Sequence, residues 1–251
     1  MHKLAGVGGA TLAVALVAVM LVAVPAADPV AASARAGSCA DVLLVGARGS
    51  GEHGLGPTVG ALAREFERGL RGRAELRIEP LEYSARALWP PTRWGDLYGS
   101  VEQGAAATAA IVEGEARACP GQSLLLVGYS LGALAIADAV DRLSPVALAR
   151  IVGVALLADP RFNPSSAAAR GPRIAGARGV LGARPEFDRL LAVTRSWCRL
   201  GDPICSGWAL LASINEHLAY PEPGGEAERA GHLLASAYWR IRHPARQNRQ
   251  P

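Results

Sequence analysis

The 251-residue chain has almost no lysine: Lys3 is the only one, so every later basic side chain apart from histidine is an arginine. Those arginines are scattered and are not interleaved with aromatic residues, which speaks against nucleic acid as a partner. Cysteine is scarce too, at four residues. No pair of them has zinc-ligand spacing beside suitably placed histidines, so no metal site is read, and nothing implies a cofactor. There is no internal repeat, which excludes a solenoid or propeller. A formal charge of +4 supports only weak attraction to anionic lipid or cell-wall surfaces.

Apolar residues are plentiful, at half the chain, enough for a substantial core in one domain. The first of them belong to a different kind of segment. Lys3 precedes an apolar and small-residue run from Leu4 to Val24, followed by A-x-A-like sites at Ala32-Ser33-Ala34 and Ala34-Arg35-Ala36. This pattern reads as a secretory signal peptide over 1–36, with the choice of cleavage site open, and a single domain over 37–251. An uncleaved anchor is the rival, because the run is nearly long enough to span a bilayer. The expected location is outside the cell, or on the cell envelope if the run is retained. Four cysteines agree with export and imply two disulfides with three possible pairings. Buried free thiols would suit a cytosolic protein.

Along the chain, short apolar runs alternate with helical patterns. "ADVLLVGARGS" reads as a buried strand and a glycine-rich turn, and Thr58–Leu70 as a helix. "ELRIEPLEY" is a second strand, followed by a Pro- and Trp-bearing loop and a helix over about 101–118. The strand "SLLLVGY", a helix from Leu131 to about Leu143 and the strand "IVGVALLAD" come next. Pro160–Arg184 reads as a long loop or flap, "RLLAVTRSWC" as a last strand, and 225–242 as a terminal helix. Continuous apolar strands alternating with helices predict an α/β fold with a mostly parallel sheet covered on both faces.

"GYSLG" interrupts one of these strand-to-helix steps. G-x-S-x-G at such a step is a nucleophile elbow: Gly128 and Gly132 keep side chains out of a crowded turn, and Ser130 projects above the sheet. The backbone N–H of Leu131, at the helix start, is a natural oxyanion donor. A β-to-α turn that merely uses Gly and Ser is the ordinary alternative. Serine needs a base, and the base needs an acid to orient it. Of five histidines, His2 lies in the leader, His53 precedes the serine, His243 is in a polar tail and His232 falls within the terminal helix. His217, beside a Pro/Gly-rich loop, is the expected base. Asp159 and Asp202 both sit where strands end. Asp202 is preferred because a Cys198–Cys205 bridge would close its loop, and because it precedes His217 by 15 positions (217 − 202).

Spacing links the first strand to the serine strand. Cys39 to Ser50 is 11 positions (50 − 39), as is Cys119 to Ser130 (130 − 119). Parallel neighbours in similar register would bring Cys39 to Cys119 at the amino ends and Ser50 to Ser130 at the carboxyl ends. Ser50 would then supply a second oxyanion donor.

Four motifs in this order, "ARGSGE", "GYSLG", "CRLGDPIC" and "HLAY", resemble the cutinase family of secreted serine esterases. The resemblance runs with gaps from Cys39 to the terminal helix. It implies a small α/β-hydrolase with two disulfides, a triad of Ser130, Asp202 and His217, and an oxyanion hole at Ser50 and Leu131. Many members have glutamine where Leu131 stands, which leaves the backbone donor intact. The Trp89–Trp94 and Pro160–Arg184 segments look larger than in compact fungal members and could cover or reshape the site, which counts against a polymer as substrate. The expected activity is hydrolysis of a carboxylic ester (a lipid, a polyester or an acylated sugar) through an acyl-enzyme on Ser130. An acyltransferase on the same fold, and a catalytically silent cell-surface binding protein, are the alternatives. Leu210, Leu211, Ile214, Leu218 and the Trp89–Trp94 loop are candidate acyl-site residues, although apolar residues there more often belong to a core.

Overall fold

Val42–Ala47 (VLLVGA) has no polar side chain and is buried throughout, so it forms a strand covered on both faces, β1. The computed structural model describes residues 39–86, 94–171, 177–207 and 212–243. After β1 come α1 (Gly56–Leu70), β2 (Leu76–Pro80), α2 (Trp94–Ala118), β3 (Ser123–Tyr129), α3 (Leu131–Val140) and α4 (Pro145–Leu148). Next are β4 (Ile151–Leu157), β5 (Ala169–Arg170), β6 (Thr194–Trp197), α5 (Ile214–Leu218) and α6 (Glu226–Arg242). Among the described residues these strands form a six-stranded sheet, ordered β2-β1-β3-β4-β6-β5, with every pairing parallel.

Alternate residues of each strand supply two cores. Val42 and Leu44 join Val59, Leu62 and Phe66 of α1 and Leu234 and Tyr238 of α6 on one face. Leu43 and Val45 join Val101 and Val112 of α2 and most of α3 on the other. The result is the α/β-hydrolase layering expected from the sequence, with helices on both sides of the sheet.

Three local features differ from the sequence reading. First, α2 begins at Trp94, inside the segment read as loop, because Leu97 and Val101 bury their side chains and hold the first turns despite Gly95 and Gly99. Second, the Pro160–Arg184 segment contains β5 and folds back on itself: Gly179, Leu181 and Arg184 donate backbone N–H groups to the carbonyls of Phe162, Pro160 and Arg161. Third, β1 pairs with β3 through Val42 and Ser123, an offset of 81 (123 − 42), one more than the 80 separating Cys39 from Cys119. The expected neighbours do meet: disulfides join Cys39 to Cys119 and Cys198 to Cys205. The Trp89–Trp94 loop and the leader over 1–36 lie outside the described residues, apart from the backbone of Trp94. No described helix is long and apolar enough to cross a membrane.

Candidate active site

The turn between β3 and α3 puts Ser130 at φ 53°, ψ −117°, a backbone conformation that costs on the order of 1–3 kcal/mol for a non-glycine residue. Its neighbours show why glycine is needed on both sides. A Cβ on Gly128 would lie 2.4 Å from the carbonyl oxygen of Gly132, and one on Gly132 would lie 2.1 Å from that of Ala47. Neither obstacle is a side chain that can rotate away. Gly132→Ala is therefore expected to cost about 3 kcal/mol or more, read as a lower Tm, and to reduce turnover by displacing the elbow.

Three side chains distant in sequence converge here. His217 Nε2 lies 3.0 Å from Ser130 Oγ, and His217 Nδ1 lies 3.0 Å from each carboxylate oxygen of Asp202. All three residues are buried. His217 comes from α5, a five-residue helix capped by Ser213, whose hydroxyl accepts the N–H of Asn215. The Tyr129 ring stacks on the imidazole at 5.1 Å, and its hydroxyl donates to the His217 carbonyl. Asp202 is held by the Ile204 N–H at 2.8 Å and by the Tyr220 hydroxyl at 2.8 Å; that hydroxyl accepts the Arg199 N–H at 2.9 Å. Burial pushes the Tyr220 phenol well above its ordinary range, so it stays protonated and donates to the carboxylate.

The competing residues are engaged elsewhere. Asp159 is fully buried, with Arg184 Nε at 2.7 Å and Nη2 at 3.1 Å and the Arg161 N–H at 2.9 Å. It fastens the returning arm of the 160–184 segment to the end of β4. His53, His232 and His243 are exposed.

Ser50 and Leu131 border the same cavity as Ser130. Neither of their backbone N–H groups has a hydrogen-bond partner among the described residues, and the buried Ser50 hydroxyl has none either. The turn that carries Ser50 is braced by buried Arg48. Its guanidinium donates to the carbonyls of Glu52 (2.7 Å), Leu81 (2.8 Å) and Tyr83. The Glu52 side chain accepts the Gly49 N–H at 2.6 Å. Burial pushes the Glu52 carboxyl up, against the pull of the Gly49 N–H and of the Arg48 guanidinium. The sequence reading quoted "ARGSGE" and "HLAY" but gave no role to Arg48, Glu52 or Tyr220. Their signal is a charge or a phenol inside those motifs, at residues that fold to brace the site.

The cavity above Ser130 has a volume of about 320 Å3 and walls that are almost wholly apolar. Leu97, Tyr98 and Val101 come from the start of α2, Leu131 and Leu134 from α3. Val180, Leu181 and Ile204 close it from the returning arm and the Asp202 loop. This corrects the acyl-site candidates. Ile214 and Leu218 are exposed on α5 and do not border this cavity. Leu210, Leu211, Trp89 and the Trp94 side chain lie outside the described residues. Among the described residues no cluster of three or more His, Cys, Asp or Glu side chains has the spacing of a metal site.

The arrangement can activate a hydroxyl, stabilise an oxyanion and hold an apolar chain beside both, and known proteins share its framework. A family model, Cutinase, matches residues 38–234. Cutinase pbc1 of Pyrenopeziza brassicae is 28% identical over 191 residues, covering 76% of this chain and 80% of that protein. Carboxylesterase Culp1 of Mycobacterium tuberculosis is 26% identical over 200 residues, covering 79% and 82%. In fold, the catalytic core domain of acetyl xylan esterase from Trichoderma reesei superposes with a TM-score of 0.65 at 22% identity, over 79% of this chain and 98% of that one. The family match spans the whole region from the first disulfide cysteine to α6, and the chain belongs to the cutinase family and is a carboxylic-ester hydrolase.

Proposed function

We propose that this hydrolase is a secreted serine esterase that works through an acyl-enzyme on Ser130. The observation behind this reading is the hydrogen-bonded series Ser130–His217–Asp202 opening onto an apolar cavity. Ser130 Oγ attacks the ester carbonyl while His217 Nε2 takes its proton. Asp202 holds the Nδ1–H tautomer and stabilises the imidazolium. The tetrahedral oxyanion is received by the N–H groups of Ser50 and Leu131, with the Ser50 hydroxyl as a further donor; losing one such donor typically costs about 100-fold or more in kcat. The imidazolium then protonates the departing alcohol. A water molecule, deprotonated by His217, attacks the acyl carbon, and Ser130 leaves with the proton restored. Secretion rests on the Leu4–Val24 run and its small-residue sites, and weak attraction to anionic surfaces rests on the +4 charge.

The cavity supports an acyl chain as its occupant. Each methylene removed from water contributes about 0.8 kcal/mol, so kcat/KM is expected to rise about fourfold per added methylene until the cavity is full. A series of p-nitrophenyl esters from acetate upward measures this, and a flat profile would place the acyl chain elsewhere. The acyl-enzyme itself is tested with a fluorophosphonate. Peptide mass analysis should find a single adduct on Ser130, and continued ester hydrolysis with that serine unmodified would overturn the mechanism. Product analysis with an added alcohol acceptor separates hydrolysis from acyl transfer.

A further inference from the structure

The opposite edge of the sheet carries a second concavity that the ester chemistry leaves unused. A cleft of about 430 Å3 opens at the amino ends of β1, β3 and β4, bordered by Asp41, Arg73, Gln122, Arg150, Arg242 and His243. Three arginines therefore border one concavity with a single acidic residue, one carboxylate oxygen of which accepts the Glu75 N–H at 2.9 Å. Among the described residues none of the three arginines forms an ion pair. Arg73 lies over the Trp239 ring at 4.8 Å. Most of the five N–H donors on each guanidinium are left for solvent or a ligand.

The ordinary explanation is that arginines gather here because α1, α2, α4 and α6 all end on this edge, where helix dipoles are negative. Backbone groups already meet much of that need. The Leu70, Ala147 and Trp239 carbonyls accept the N–H groups of Arg73, Arg150 and His243. The guanidiniums are not the caps. In addition, Gln122 Oε1 and Arg150 Nε are buried without a hydrogen-bond partner. Buried polar side-chain atoms are normally satisfied by protein, water or a bound group, and of the four exceptions among the described residues two belong to this cleft. Another is the Ser50 hydroxyl beside Ser130.

The geometry points to a binding site for a phosphorylated polyol. Arginine forks match phosphate oxygens bidentately, and Asp41 provides an acceptor for hydroxyl groups. At about 30 Å3 per water-sized group, the volume exceeds a bare phosphate and suits a glycerol or hexose phosphate. The same chemistry occurs in free sugar and glycerol phosphates and in the headgroup of phosphatidylglycerol.

Calorimetric titration of the purified protein at low salt with sn-glycerol 3-phosphate, inorganic phosphate and glycerol tests the site. Glycerol 3-phosphate should bind saturably and at least about tenfold more tightly than inorganic phosphate, with glycerol silent. Arg73→Gln combined with Arg242→Gln, both at exposed positions, should weaken it about 100-fold. Unchanged ester turnover in that variant reports that it is folded, and Ser130→Ala should bind as the parent does. Co-sedimentation with phosphatidylglycerol vesicles that the double variant loses would identify the headgroup as a source, and soluble binding without it the free phosphate. Absence of saturable binding, equal affinity for inorganic phosphate, or affinity undiminished in the double variant would each overturn the assignment.

Discussion

Ser130→Ala is expected to lower kcat about a million-fold, and Asp202→Asn about ten-thousand-fold, with the fold and Tm of both close to those of the parent. The first change removes the oxygen proposed to attack the ester. The second keeps the shape of the side chain but not its demand for a proton donor, so His217 is no longer held with Nδ1 protonated toward residue 202 and Nε2 free to accept from Ser130. Asp159→Asn is the informative control. That carboxylate is buried against Arg184 and has no contact with the imidazole. Removing its charge leaves the buried guanidinium with only the more distant Asp138 carboxylate, at 3.7 Å, a change approaching the kind that costs about 3–5 kcal/mol. The control should therefore lose stability while each folded molecule keeps turnover within about tenfold. Steady-state kinetics on a p-nitrophenyl ester beside thermal denaturation separates the two aspartates. A stable, inactive Asp159→Asn paired with an active Asp202→Asn would reverse their roles.

The two disulfides should divide in the same way between stability and chemistry. Cys39–Cys119 closes a separation of 80 residues, for which the loop-entropy relation gives about 4.5 kcal/mol. Against a total stability of about 5–15 kcal/mol this is a large share, and Cys39→Ser with Cys119→Ser should lower Tm by roughly 10–15 °C. Cys198–Cys205 closes only 7 residues, worth about 2.4 kcal/mol by the same relation. Asp202 lies inside that small loop, however, so Cys198→Ser with Cys205→Ser should lose turnover at temperatures where the circular dichroism is still native. Coincident loss of activity and secondary structure in the second variant would show that the loop keeps its shape without the bridge.

Much of this was legible from residue order. β1, β3 and β4 are uninterrupted apolar runs, and a strand buried on both faces leaves that mark in one sequence. The Ser-x-Gly turn, the loop between two cysteines and a histidine beyond it were enough to name the three residues that now lie within hydrogen-bonding distance. The parts that were not legible share a physical reason: they depend on partners far along the chain. β5 has two residues and exists only because Ala169 and Arg170 pair with β6 at the sheet edge. α5 has five residues, too few for helical periodicity to register, and is fixed by its Ser213 cap and by His217. The apolar cavity is assembled from α2, α3, the returning arm and the Asp202 loop, and no local pattern marks such a wall. The Asp159–Arg184 pair spans 25 positions, so the aspartate alone looked like a rival acid.

Asp41, one residue before β1, and His243, the C-cap of α6, border one cleft at the end of the sheet opposite Ser130. Attachment to a solid support through residues that border this cleft would thus leave the mouth of the cavity above Ser130 turned outward.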